Sequence, residues 1–120
     1  MDIRAIFGRT GEDMASSFLK SAGYKLLARN VRFKSGEIDI VAFDKKNNTL
    51  CFVEVKTRDN DKLSALESVT SFKQSKIRRT AEWFIKRNPK LFYETCRFDV
   101  ITVIKEPNGK YSIEHLKNCF

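Results

Sequence analysis

Cysteine is scarce in this 120-residue chain and follows no pattern: Cys51, Cys96 and Cys119 are odd in number, widely spaced and form no Cys-x-x-Cys pair. This argues against a secreted disulfide framework and against a sulfur-ligated zinc site, and it leaves Cys51, inside an apolar run, as a small core residue. No stretch reaches the roughly 18–20 uninterrupted apolar residues that a membrane helix needs. The segment Met1-Asp2-Ile3-Arg4-Ala5-Ile6-Phe7 lacks the apolar run of a signal peptide. The expectation is a cytoplasmic protein with no membrane partner. Internal repeats, linkers and low-complexity tracts are missing too, so one domain over 1–120 is expected. Histidine occurs once, as His115, and without a partner motif it reads as structural.

What is present is a core and a charge. Hydrophobic residues make up 42% of the chain, ten of them Phe, which excludes a disordered polymer. Lys and Arg number 23 against 15 Asp and Glu, a formal net charge of +8. Such a balance attracts polyanions, chiefly nucleic acid, because neutralising phosphates releases counterions. Charge alone fits a merely basic protein equally well.

Hydrophobic periodicity orders the elements. Ala15, Phe18, Leu19 and Ala22 predict a helix over Gly11 to Ala22, stopped by Gly23. Strand patterns follow over Tyr24 to Phe33, Glu37 to Phe43 and Thr49 to Lys56. The polar run Thr57 to Lys62 reads as a mobile loop. Leu66, Val69, Ile77, Ala81 and Phe84 then predict one long helix from Ser64 to Arg87, with Pro89 just beyond its end. Cys96 to Lys105 is a further strand, and Pro107-Asn108-Gly109 returns it through Tyr111 to Leu116. The order α-β-β-β-α-β-β predicts an α/β fold with a central mixed sheet flanked by helices.

Two of these strands carry ionisable residues inside otherwise buried patterns: Gly36-Glu37-Ile38-Asp39-Ile40-Val41-Ala42 and Cys51-Phe52-Val53-Glu54-Val55-Lys56. An unpaired carboxylate is costly to bury, so such residues belong to a metal site, an ion pair or a solvent-facing edge. Alternation sets Glu37 and Asp39 on one face and Ile38 and Ile40 on the other, and it gives Glu54 and Lys56 a common face. If the two strands pair as a hairpin, Asp39 and Glu54 converge with Lys56 beside them. Two carboxylates and the Val55 carbonyl would suit a hard cation such as Mg²⁺ or Mn²⁺, with water and a phosphate oxygen completing the shell. A lysine alongside would orient or deprotonate the nucleophile. The competing reading is an ion pair of Lys56 with Glu54 or Asp39, worth little to stability.

These residues carry a resemblance. Gly8-Arg9-Thr10-Gly11-Glu12, Gly23-Tyr24, Asn30, Gly36-Glu37-Ile38-Asp39, Phe52-Val53-Glu54-Val55-Lys56-Thr57-Arg58, Lys73, Arg97-Phe98-Asp99-Val100 and His115 to Phe120 resemble the YraN-like family of small uncharacterised bacterial proteins. That family is similar to archaeal Holliday junction resolvases and to the restriction-endonuclease-like PD-(D/E)xK nucleases. The resemblance implies a restriction-endonuclease-like fold and a metal-dependent DNA endonuclease, with branched or distorted DNA as substrate. It implies Asp39 and Glu54 as metal ligands and Lys56 as the catalytic lysine. Glu12 matches an acidic residue that completes the resolvase site, although a carboxylate early in a helix also favours the macrodipole. The proline of the nominal Pro-Asp motif is absent, since Ile38 precedes Asp39.

Beyond this cluster, Lys76, Arg79, Trp83, Lys86 and Lys90 recur at three- and four-residue steps, with Phe72 one turn earlier. This basic stripe would track a phosphate backbone with its aromatics on exposed bases; a solvated face or a homodimer surface gives the same pattern. Arg58 is a candidate for phosphate contact or loop anchoring. Lys73 falls towards the apolar side near Val69 and Ile77, where a lysine snorkels to solvent, and the resemblance adds a phosphate contact for it. Asp99 reads as a buried ion-pair member, with Arg97 or Arg58 as partner. The alternatives to a nuclease are a non-catalytic nucleic-acid-binding module and a protein-interaction module on the same fold.

Overall fold

A computed structural model describes residues 3–120, with side chains from Thr10 onward. Its elements are α1 (Ile3–Ser21), β1 (Tyr24–Phe33), β2 (Gly36–Asp44), β3 (Thr49–Asp59), α2 (Lys62–Glu67), α3 (Ser71–Arg87), β4 (Thr95–Lys105) and β5 (Tyr111–Leu116). The five strands form one mixed sheet in sequence order, with β3 and β4 parallel and the other neighbours antiparallel. The α/β class and the order of strands and main helices are those expected. Among the described residues no helix is long and apolar enough to cross a membrane.

Helices cover both faces of the sheet. On one side Ala15 and Leu19 of α1 pack with Tyr24, Ile40, Ala42, Cys51, Val53, Ile101 and Val103. On the other, Ile77, Ala81 and Phe84 of α3 pack with Ile38, Val41, Leu50 and Phe52. Burial on two faces explains why the central strands read as continuous apolar runs. Cys51 is buried as a core residue, and burial pushes its thiol up to about 12. An aromatic ladder extends the α3 side: Phe84 meets Phe52 edge-on at 6.1 Å, Phe52 stacks on Phe98 at 5.5 Å, and Phe98 on Phe120 at 5.3 Å.

Three expected boundaries are corrected. The first helix starts at Ile3 rather than Gly11. The long helix is two: α2 ends at Glu67 and α3 begins at Ser71, each with its own cap. Asp61 accepts from the Ser64 N–H at 2.9 Å and Thr70 accepts from the Lys73 N–H at 3.3 Å, so a second start signal lies inside the apolar periodicity. Thr57, Arg58 and Asp59 are no loop. They lengthen β3, paired with Val103, Ile104 and Lys105 of β4, because a polar composition does not prevent a strand from completing a ladder with an apolar neighbour.

The sheet also breaks its alternation, at a bulge between Leu26 and Ala28 in β1 and again near Asp39 in β2. Ile38 lies in the α3-side cluster and Ile40 in the α1-side cluster, although two residues apart in one strand they should share a face. Their partners in β1 change sides in step: Val31 packs on the α3 side, while Arg29, opposite Ile40, pairs with α1. Between them sits Asn30 at φ 52°, in the left-handed region that Asn tolerates better than other side chains. The residue across from it in β2 is Asp39.

Candidate active site

The kink at Asn30 determines what Asp39 does. The β2–β3 ladder stops at Ile40 and Val53, and its register, continued by one residue, sets Asp39 opposite Glu54. The Val55 N–H therefore lacks a backbone acceptor on β2, and Asp39 Oδ2 accepts that hydrogen bond at 2.7 Å. In a strand the N–H and C=O of one residue point the same way, so the Val55 carbonyl faces the same gap. Asp39 Oδ1 accepts no hydrogen bond from a described residue.

The neighbourhood of Asp39 is rich in negative charge. Burial pushes its carboxyl up first, Glu54 adds to this by repulsion, and the Val55 N–H only partly offsets them; Glu12 and Glu37 push the same way, and the group reaches about 8. Glu12 comes from α1 and Glu37 from the start of β2. Lys56 is the cation in contact: its Nζ lies 3.1 Å from Glu54 Oε1, with the two side chains only 12% and 16% exposed. By strand alternation from Leu50 and Phe52, Glu54 and Lys56 project from the α3 side of the sheet.

The structure thus brings Asp39, Glu54, Lys56 and the Val55 backbone together, with Glu12 close enough to act on Asp39 electrostatically. Glu12 and Asp13 flank Arg29, at 3.6 and 2.8 Å. Glu37 pairs with Arg32 at 3.3 Å, and the expectation that Ile38 and Ile40 share one strand face fails at the kink. Among the described residues no three of His, Cys, Asp and Glu are grouped closely enough to enclose a metal ion, so the oxygen donors at hand are two carboxylates and a carbonyl.

Arg29, Asn30 and Gly11 take roles that the sequence pattern alone does not announce. A polar Asn inside an apolar strand, where Asn is depleted, was the available signal for the kink. Gly11 is buried against β3. A methyl group there would run into Thr57 Oγ1, with Thr57 Cβ at 3.3 Å, so the missing side chain lets α1 lie close enough to bring Glu12 to the cluster.

The remaining candidates are spread over two surfaces. Arg58 follows Lys56 along the same strand face, and its Nη1 donates to the Thr57 carbonyl at 2.8 Å. Lys76 and Arg79 are exposed on α3. Lys73 is exposed as well, in the first turn of α3. Lys76 lies beside the β1–β2 turn, where a side chain at Gly36 would meet Lys76 Cβ at 3.5 Å and Thr80 Oγ1 at 3.4 Å. Ser35 and Thr80 hydroxyls, 2.8 Å apart, fix α3 to the β1–β2 turn at this point.

A second polar cluster lies on the α1 side. Asp99 is fully buried and accepts from Arg97 Nε at 2.9 Å and Nη2 at 3.0 Å, from the Asn118 N–H at 2.9 Å, and bonds His115 Nε2 at 2.7 Å. Arg97 also donates to the Tyr24 hydroxyl at 2.8 Å and to Asp44 at 3.3 Å. Asp99 is the ion-pair member expected, with Arg97 rather than Arg58 as partner. His115 takes a structural part, tying β5 to β4 with its ring against Tyr24.

This is a mixed five-stranded α/β protein with a half-buried acidic cluster and one lysine at a break in its central hairpin. The chain belongs to the family described as Uncharacterised protein family UPF0102, which matches residues 11–103. It is 45% identical over 114 residues to a UPF0102 protein of Pelobacter propionicus, covering 94% of this chain and 81% of that one. It is 44% identical over 121 residues to one of Prosthecochloris aestuarii, covering 94% and 91%, and 44% identical over 119 residues to one of Chlorobium phaeobacteroides, covering 94% and 92%. The matched span includes Glu12, Asp39, Glu54, Lys56 and Arg97.

Proposed function

We propose that the chain is a metal-dependent endonuclease that hydrolyses phosphodiester bonds in DNA, with branched or distorted DNA as its preferred substrate. One observation carries the reading: the hairpin register, continued by one residue, sets Asp39 opposite Glu54, with Asp39 Oδ2 on the Val55 N–H at 2.7 Å and Lys56 on the strand face of Glu54. The 3.1 Å Lys56–Glu54 contact is the ion pair of the competing reading and separates nothing by itself. The net charge of +8 supports a polyanionic substrate.

The donor chemistry fits a hard divalent cation. Asp39, Glu54 and the Val55 carbonyl offer only oxygen, and the carboxyl of Asp39 sits among three other acids, where added positive charge favours its ionised form. Mg²⁺ or Mn²⁺ held by these three groups would polarise the scissile phosphate and acidify a bound water. The chain's own residues do the rest. Asp39, locked by the Val55 N–H, fixes the site on the sheet. The Lys56 ammonium, aligned by Glu54, orients the attacking water and stabilises negative charge as its oxygen joins phosphorus and its proton passes to solvent. The bond from phosphorus to the leaving oxygen breaks, and that oxygen takes a proton from solvent. Glu12 adds a further acidic group from α1, and Arg58, Lys73, Lys76 and Arg79 hold neighbouring phosphates.

The test uses purified wild-type and Lys56→Ala protein on linear, flapped and four-way DNA with Mg²⁺ or Mn²⁺. The expected result is metal-dependent cleavage by wild type, favouring the branched forms, and a loss of about 10²–10³-fold in the variant. Equal cleavage by both proteins would place the activity in a contaminant. Salt-sensitive binding that survives Asp39→Ala and Glu54→Ala without any cleavage would favour the non-catalytic binding module.

A further inference from the structure

Exposed apolar side chains carry meaning when they share a face, and of the four large ones exposed among the described residues two lie on one side of α3. Phe72 is 69% and Trp83 44% exposed. Eleven residues apart, they are separated by about 16 Å along the helix and by roughly 20° around it. Arg79 falls between them on the same stripe, and Lys76 and Lys86 complete it within about 40° on either side. The buried positions Ile77, Ala81 and Phe84 lie about 120–180° round the helix from Phe72, and Thr80 about 80°. Neither ring is needed by the core.

Each ring already carries a cation. Lys76 Nζ lies 4.4 Å above the centre of the Phe72 ring, and Lys86 Nζ lies 5.2 Å from that of Trp83. These ring–ammonium pairs have the composition that recognises an unpaired nucleotide: a flat apolar face for a base, and beside it a charge for the phosphate. Duplex DNA would use the charges but hides its bases in the stack. A protein partner would have to bury the three cations Lys76, Arg79 and Lys86 along with the rings, which a self-association surface would do against an equally basic copy.

We infer that this side of α3 binds single-stranded nucleic acid, with Phe72 and Trp83 stacking on separate bases and Lys76, Arg79 and Lys86 neutralising the phosphates between them. The inference deepens the nuclease reading and rests on it for its purpose. Lys76 packs beside Gly36, one residue before Glu37, and Glu54 and Lys56 project from the same side of the sheet as α3. The helix and the side chains of Glu54 and Lys56 thus lie on one side of the sheet. Binding itself needs no metal and no turnover, so the two readings fail separately.

The experiment uses the wild-type chain in EDTA, where metal-dependent cleavage is silent. The probes are a fluorescein-labelled oligothymidine of about twenty nucleotides, a blunt duplex of equal length, and inorganic polyphosphate. Trp83 is the one tryptophan in the chain, so its emission reports stacking directly. Oligothymidine should quench it and polyphosphate should not. Phe72→Ala and Trp83→Ala should each weaken oligothymidine binding by about 10–100-fold and shift duplex binding by less than about threefold. Trp83→Phe, which keeps a ring, should retain most of the affinity. Lys76→Ala with Arg79→Ala should weaken both probes. The inference is overturned by equal losses on duplex and oligothymidine in the ring variants, by quenching with polyphosphate, or by undiminished oligothymidine binding. A wild-type dimer in sedimentation that Trp83→Ala converts to monomer would likewise overturn it and assign the face to a second copy.

Discussion

Removing the Arg97 side chain should expose how strongly the fold depends on its second polar cluster. Asp99 is 0% exposed, and its carboxylate is held by Arg97 through Nε and Nη2, by His115 and by the Asn118 N–H. Burial alone would push this carboxyl up, yet the hydrogen bonds from His115, Arg97 and Asn118 and the charge of Arg97 outweigh it and hold the group below its ordinary 3.8. In Arg97→Met the packing volume is largely kept, but a buried carboxylate loses its countercharge, an expected cost of about 3–5 kcal/mol. For a chain of this size that is a drop of about 10–20 °C in Tm. The sign with pH follows from the direction of the shift. A depressed carboxyl stabilises the wild type above its ordinary value and loses that contribution as the pH falls through its folded value. In Arg97→Met the same group is freed to protonate, so the gap to wild type should narrow in acid. Adding Asp99→Asn to Arg97→Met should recover part of the loss, because a buried amide needs no countercharge. Urea unfolding of wild type, Arg97→Met, Asp99→Asn and the double variant near pH 7 and near pH 4 measures this. A single variant within about 1 kcal/mol of wild type, or a double variant that loses the sum of both single losses, would refute the claim that charge compensation holds this cluster together.

Two further perturbations address the acidic cluster. Asp39→Asn should stabilise the metal-free chain increasingly as the pH rises from about 4 to about 8, since a raised carboxyl gives stability below 3.8 that is lost through about 8. At about 1.4 kcal/mol per pH unit the ceiling is about 6 kcal/mol, and hydration of a half-buried group brings the expected gain to about 1–3 kcal/mol; parallel pH profiles of urea midpoints for the two proteins would contradict it. Gly11→Ala should destabilise by about 1–3 kcal/mol despite the better helix propensity of Ala, because the new methyl meets Thr57. Thr57→Ala in the same chain should restore the thermal midpoint, and failure to do so would remove the close approach as the cause.

The regular part of the molecule was legible because local pattern and tertiary environment agree there. Ala15 and Leu19 mark the buried side of α1, and the apolar runs of β2, β3 and β4 announce strands covered on both faces. Pro107-Asn108-Gly109 joins β4 to β5 as expected, with Gly109 donating to the Glu106 carbonyl at 2.9 Å. What stayed hidden depends on residues far apart in the chain. Thr57 to Asp59 look like a loop by composition and become strand only because β4 pairs with them. The Ser68-Val69-Thr70 break is masked by apolar spacing that runs across it. Asp99 was visible as a buried acid and Arg97 as a partner, whereas His115 and Asn118 come from β5 and the tail beyond it.

The acidic cluster lies between these cases. Both faces of β2 are packed, one on α1 and one on α3, so a regular strand would have no face to spare for a carboxylate. Asp39 is tolerated because the buried run of β3 ends at Val53 and the residues from Glu54 to Arg58 are partly open, and because the left-handed turn at Asn30 lets the two strands change faces around it. Its carboxylate then fills the place of a missing ladder acceptor for Val55. The interruption that would cost a plain sheet a hydrogen bond therefore makes the position one for a side-chain acceptor. A neutral side chain unable to accept that bond would leave the Val55 N–H unpaired, while Asn would satisfy it and remove the charge. Structure and proposed chemistry thus separate at one atom pair: the hydrogen bond needs an acceptor, and only the cation site needs the carboxylate.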